Sequence, residues 1–225
     1  MILKRLYLRK RNLRQSKSNN NIGGCLTAPY KNDIITTTIE RIYIMKDIIN
    51  YYNTEVKKLG SLYKKKGQGA VRGKIGQLFQ DVAEKLILSV DPNLICKHND
   101  FLTKYSPSQK YKVDNLQVDL HVYRDEKLLF ILESKTYLDV CYLKRAVEDF
   151  NEIKEVAGNV PAILWSGQNA LADNSFGYYD ECYDFETFFC NVTKKRNSNN
   201  PIYKTCDPLD EKELRRFCNY VKKII

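Results

Sequence analysis

With 225 residues the chain suits one domain of ordinary size plus a small appendage. A hydrophobic fraction of 43% can build a real core, which excludes wholesale disorder, and no stretch approaches the roughly eighteen consecutive apolar residues of a membrane span. The net charge of +10 is concentrated early: residues 1–32 carry Lys4, Arg5, Arg9, Lys10, Arg11, Arg14, Lys17 and Lys31 without an acid, and residues 57–74 carry Lys57, Lys58, Lys64, Lys65, Lys66, Arg72 and Lys74, again without one. Such runs suit a polyanion held through phosphate contacts and counterion release, or else a solvated tail and loop. The seven Cys form no CxxC pair, and with only His98 and His121 a zinc site would need scattered residues; reduced thiols in a cytoplasmic compartment are the simpler reading.

In chain order, residues 1–32 read as a basic, flexible arm: an organellar transit peptide, a DNA-contacting arm, or sequence ahead of a later start at Met45. Residues 33–66 form an N-terminal helical segment. Ile42, Ile44, Met45, Ile48, Ile49 and Tyr52 recur at helical spacing, which predicts a helix over 38–59 ended at Gly60. Gly67–Gly73 is glycine-rich but lacks the Gly-Lys-Ser/Thr of a P-loop; beside Lys64, Lys65 and Lys66 it suits a loop along a phosphate backbone, with Arg72 and Lys74, or an ordinary linker.

A helix over 74–90 is marked by Val71, Ile75, Leu78, Phe79, Val82 and Leu86, with Asp91-Pro92 as its stop. A first strand near Leu94–Lys97 and a polar loop at Tyr105–Ser108 follow. Leu116–Tyr123 alternates, with Leu116, Val118, Leu120 and Val122 on one face and Gln117, Asp119, His121 and Tyr123 on the other. Leu128–Leu132 is apolar throughout, as a strand covered on both faces would be, and ends in Glu133-Ser134-Lys135. Asp139 is a good N-cap for a helix over 140–157 with Leu143, Ala146, Val147, Phe150 and Ile153 buried, and Lys144 and Arg145 in its first turns touch phosphate or pair with Glu148 and Asp149. Val160–Trp165 is a short buried strand, completing a βαβ crossover. In the C-terminal extension, 167–225, Phe176–Phe189 can supply strands. Asp207-Pro208 then caps a final helix with Leu214, Phe217, Val221 and Ile225 inward.

The acid-x-Lys tripeptide occurs five times, at Glu55, Asp125, Glu133, Glu152 and Asp210, so by itself it carries almost no information. Only Glu133–Lys135 follows a buried apolar run, with an acid, Asp119, on the strand before it. Glu133 and Lys135, two apart, share a face where the strand emerges, and Asp119 can join them as a Mg²⁺ site for phosphodiester cleavage; a structural ion pair is the alternative. The sharing depends on parity. A two- or four-residue turn puts Asp119 opposite Leu132 and on the wrong face, so an odd-length connection, or a bulge near Asp119, is required, with the carboxyl groups roughly 3–6 Å apart.

Asp119 with Glu133-Ser134-Lys135 fourteen residues on resembles the D…(D/E)xK signature of the PD-(D/E)XK nuclease superfamily, most like a type II restriction endonuclease. Gln117-Val118 replaces the Pro usual before the Asp. The resemblance implies an α/β fold, a mixed central sheet of an antiparallel hairpin plus a parallel strand flanked by helices, in a nuclease core over 67–166. It implies a Mg²⁺-dependent endonuclease (Mn²⁺ able to substitute) acting on double-stranded DNA, compatible with a homodimer. Asp119, Glu133 and the Ser134 backbone carbonyl would hold the metal, and Lys135 would position water or stabilise developing charge. The family's first helix commonly places a Glu near the metal; Gly76-Gln77-Leu78-Phe79-Gln80 is similar but puts Gln80 there, leaving Glu84, one turn on, as the substitute. A repair or junction-resolving nuclease, or a non-catalytic nucleic-acid-binding module, remains the alternative.

Overall fold

A 37-residue helix, α1 (Tyr30–Lys66), opens the described chain. The computed structural model describes residues 30–106, 108, 110–171, 178–179, 182–196, 203 and 206–225, so nearly all of the basic arm, Phe176, and the Asn-rich stretch at 197–200 lie outside the described residues. The chain divides into two compact units, 1–39 and 40–225. In the first, the described part is the helical backbone from Tyr30 to Ile39; the rest of the architecture is that of the second.

Where the sequence predicts a stop at Gly60, α1 runs on to Lys66. One interior glycine costs only about 1 kcal/mol, less than is gained by burying Met45, Ile48, Tyr52 and Leu59 along the same helix. Gly67 makes the stop: it takes φ +76° and donates its N–H to the Tyr63 carbonyl at 2.8 Å. Helix α2 (Gly69–Val90) begins two residues later, so the expected 67–73 loop shrinks to Gly67-Gln68 and the Gly-rich stretch is helical. Burial of Val71 and Ile75 continues the stripe of Leu78, Phe79, Val82 and Leu86 back toward that start.

A mixed five-stranded sheet follows, in the order β1 (Ile95–His98), β4 (Leu120–Arg124), β5 (Lys127–Leu138), β6 (Ala162–Asn169), β7 (Glu186–Phe189). The first three are antiparallel neighbours; β5, β6 and β7 run parallel. Helix α3 (Val140–Ala157) makes the β5–β6 crossover, its Asp139 cap accepting the Tyr142 N–H at 2.9 Å and its buried residues being the five expected. One core layer joins α1, α2 and the final helix, α4 (Glu211–Ile224), to the sheet through Phe79, Phe130, Leu132, Trp165 and Phe217; Trp165 is wholly buried and donates its indole N–H to the Phe79 carbonyl at 3.1 Å. The other layer gathers Ile131, Leu138 and Leu164 against Leu143, Val147 and Phe150 of α3.

The predicted strand 116–123 is in fact two. Residues 112–117 form β3, which pairs antiparallel with β2 (Phe101–Tyr105) in a separate two-stranded ribbon; the chain leaves that ribbon at Val118-Asp119 and joins the main sheet as β4. Alternation therefore breaks at the crossing: Leu116 and Val118 enter the α3-side layer, whereas Leu120 and Val122 enter the other. His121 and Tyr123, expected on a polar face, are buried on β4. The final helix starts later than Asp207 because that residue is engaged elsewhere, its carbonyl accepting from Tyr52 and Asn191 and its carboxylate from Gln168; Asp210 caps α4 instead, accepting the Lys212 N–H at 3.0 Å.

Candidate functional site

The β4–β5 turn holds two residues, Asp125 and Glu126, both at positive φ (49° and 67°), the geometry of the tight hairpin turn. By parity this would send Asp119 and Glu133 to opposite faces. A bulge corrects it: Tyr123 pairs with Leu128 and Val122 with Phe130, so Leu129 is an extra residue on β5. The correction sits beside the turn, not near Asp119. Beyond it His121 faces Ile131 and Leu120 faces Leu132, which sets Asp119 against Glu133.

Reciprocal bonds close the arrangement. The Asp119 N–H donates to Glu133 Oε2 at 3.1 Å, and the Ser134 N–H donates to Asp119 Oδ2 at 2.8 Å. Both carboxylates thus accept backbone N–H groups where β3 has ended and β4 has not yet begun. The Lys135 ammonium pairs with Glu133 Oε1 and lies 5.7 Å from the centre of the Tyr142 ring. Burial, and then the negative charge of Glu133, push the Asp119 carboxyl up to about 6; Lys135, the Ser134 N–H and His98 pull the other way.

The donor set is all oxygen: two carboxylates and, in the residue between Glu133 and Lys135, a backbone carbonyl. An ionised carboxylate has about four lone-pair sites, so one bond on each Glu133 oxygen leaves room for a cation. With one ammonium against two adjacent carboxylates, the set fits a hard divalent ion such as Mg²⁺. Among the described residues, no group of three or more His, Cys, Asp or Glu side chains is gathered so as to hold a metal by side chains alone.

The other expected residues scatter. Glu84 is turned to His98, whose Nε2 lies 2.9 Å from its carboxylate, and has no bond to Asp119. Gln80 is half-buried on α2, without a bond to Asp119 or Glu133. Lys64, Lys65 and Lys66 form the exposed last turn of α1, and Arg72 is exposed in the first turn of α2. Lys74 lines a cavity of about 420 Å³ with Tyr51, Glu55 and Asp81, which none of Asp119, Glu133 or Lys135 borders. On α3, Lys144 is exposed and Arg145 pairs with Asp149 at 3.7 Å.

Sequence reasoning missed Asp149 as a site residue. Half-buried on α3, it is pushed up to about 6 by burial and then by Glu133, against Arg145 and Lys135, which makes it a third acid in the same field. Its signal was its place three residues after Ala146 and beside Phe150, on the margin of the buried stripe. Also missed was the aromatic and cationic margin beyond Lys135. Tyr142 packs edge-on to Tyr137 at 5.6 Å, and the Arg196 guanidinium lies 3.4 Å from the Tyr137 ring centre. His121 is wholly buried, with neither ring nitrogen partnered among the described residues, and burial holds its pKa below the usual range. Among the described residues no helix is long and apolar enough to cross a membrane. No family model matches the chain, and no curated protein sequence is significantly similar to it.

Proposed function

We propose that the chain is a Mg²⁺-dependent endonuclease of double-stranded DNA, of the restriction type, with a restriction-endonuclease-like core and a cytoplasmic place of work. The observation that carries this is the pair of reciprocal bonds that holds Asp119 and Glu133 together on one face with Lys135 beside them. The order α2, β1, β4, β5, α3, β6 supports it, being a helix, three antiparallel strands, a helix and a parallel strand. Asp119, Glu133 and the Ser134 carbonyl would hold the ion, with Asp149 contributing negative charge nearby. Bound there, Mg²⁺ (or Mn²⁺) would supply Lewis-acid stabilisation of the attacked phosphate and lower the pKa of a water. The chain's own contribution is positioning. Asp119 is held by the Ser134 N–H, Glu133 by the Asp119 N–H, and the Lys135 ammonium, paired with Glu133, would orient a nucleophilic water or meet charge developing on a phosphate oxygen. A homodimer would give one such site per DNA strand.

Incubation of the full chain with plasmid DNA and Mg²⁺, followed by end sequencing, tests the reading. Cleavage is expected, with Asp119→Ala and Glu133→Ala each reducing it by at least about a hundredfold while duplex binding survives, because each removes an oxygen ligand rather than a phosphate contact. Full activity in either variant would sink the assignment.

A further inference from the structure

We propose that the outward face of the β2–β3 ribbon is a base-reading surface that enters the major groove of duplex DNA. This deepens the nuclease reading and rests on its choice of duplex DNA as substrate. Register fixes what the face contains: Phe101 pairs with Gln117, Thr103 with Asn115 and Tyr105 with Lys112, and facing residues share a side. Of the alternate pairs, Leu102–Leu116 and Lys104 turn inward, while Asp114, opposite Lys104, stays exposed and accepts the Asn115 N–H at 2.7 Å. Leu102 and Leu116 pack into the α3-side core, and Lys104 binds Glu152 and Glu155 of α3 at 3.2 and 3.0 Å. The ribbon is thus anchored through one face and displays the other.

The displayed face has the wrong chemistry for a merely solvated ribbon. Phe101 and Tyr105 are 52% and 51% exposed, and Tyr111, just before β3, is 71% exposed. Between them stand two amides, a hydroxyl and a lysine, with no acid among the seven. Asn and Gln can read adenine, Lys guanine and Thr either, while an aromatic edge suits a thymine methyl; a two-stranded ribbon is also of a width the major groove admits. Their internal contacts are weak: Thr103 Oγ1 reaches Asn115 Oδ1, and Gln117 Nε2 reaches Asn99 Oδ1, only at 3.5 Å. Lys112 lies 6.0 Å from the Phe101 ring centre, on the same side. Position favours a nucleic acid: Gln117 is separated from Asp119 by Val118 alone, so DNA whose phosphate lies at Asp119 meets the ribbon at once.

The test reads binding rather than cleavage. The full chain is used to select from a random duplex library in EDTA, and anisotropy titrations follow on the enriched sequence. The wild type is expected to enrich a consensus; Asn115→Ala and Gln117→Ala should each relax one or two positions of it and weaken the consensus complex by about tenfold or more, leaving non-consensus duplex within about twofold. Should truncation unfold the ribbon, as a thermal melt would reveal, Gln117→Arg is expected to change the preferred base instead of erasing the preference. An unaltered consensus and affinity in these variants overturns the proposal, as does a wild type that binds no duplex or binds without preference. Self-association that the same substitutions abolish, with DNA binding unmoved, overturns it in favour of a second copy of the chain. A selected consensus without any Mg²⁺-dependent cleavage would leave the ribbon standing and remove the catalytic reading.

Discussion

Two carboxylates held side by side away from bulk water destabilise the fold whenever both are ionised. With the Asp119 carboxyl at about 6 in the folded chain against roughly 4 in an unfolded one, the folded state binds the proton more tightly between those values. Stability contributed by this group therefore falls as pH rises from about 4 to about 6 and stays lower above. Asp119→Asn should accordingly raise Tm at pH 7.5, by the equivalent of roughly 1–3 kcal/mol, with the gain vanishing by about pH 4; thermal melts across that range measure it. The same repulsion makes a cation stabilising. Millimolar Mg²⁺ should raise the Tm of the wild type, EDTA should reverse the rise, and Asp119→Asn should lose most of the response, because an ion that binds only the folded site stabilises by mass action.

A strand's side-chain parity is set by counting residues, and at this chain length it is the one-residue bulge that sets Asp119 against Glu133. Helix α3 is legible in sequence because its Asp139 cap, its stripe and its closing Gly158 all lie within one segment. Asp119, Glu133 and Lys135 are legible as candidates because an acid pair and a lysine flank a buried run. The bulge at Leu129 is not legible: nothing local separates Leu129 from its apolar neighbours, and the register beyond it is fixed by the parallel ladder to β6, which pairs Ile131 with Ala162 and Glu133 with Leu164. Nor is the ribbon, whose β3 continues in sequence almost without interruption into β4. Deleting Leu129 should let the ladder close over the gap, with Val122 still facing Phe130, and leave cleavage largely intact. Inserting one Ala after Leu132 should turn Glu133 away from Asp119 and abolish it; comparing the two in the plasmid assay separates register from mere disturbance of β5. On β6, Gly167 lies against the Thr136 carbonyl, the Asn191 side chain and the Phe79 ring, where any Cβ would collide. Gly167→Ala should cost about 1–3 kcal/mol or more by overpacking, read as a lower midpoint in urea.

At the scale of the whole chain, positive charge lies ahead of the sheet, and the last turn of α1 presents Lys64, Lys65 and Lys66 together to solvent. Replacing all three with Gln should weaken binding to every duplex alike and reduce the salt slope by up to about one unit for each phosphate that a lysine had neutralised; an unchanged slope in salt titrations would show that the turn is only solvated. The bulge has a consequence on this scale as well. Because the ladder from Phe130 onward takes its register from β6 and from buried neighbours, Leu129 acts as a slip joint between the hairpin tip and everything inward of it. The tip at Asp125-Glu126 can then be lengthened, tagged, or opened as the new ends of a circularly permuted chain, while Asp119 and Glu133 keep their distance.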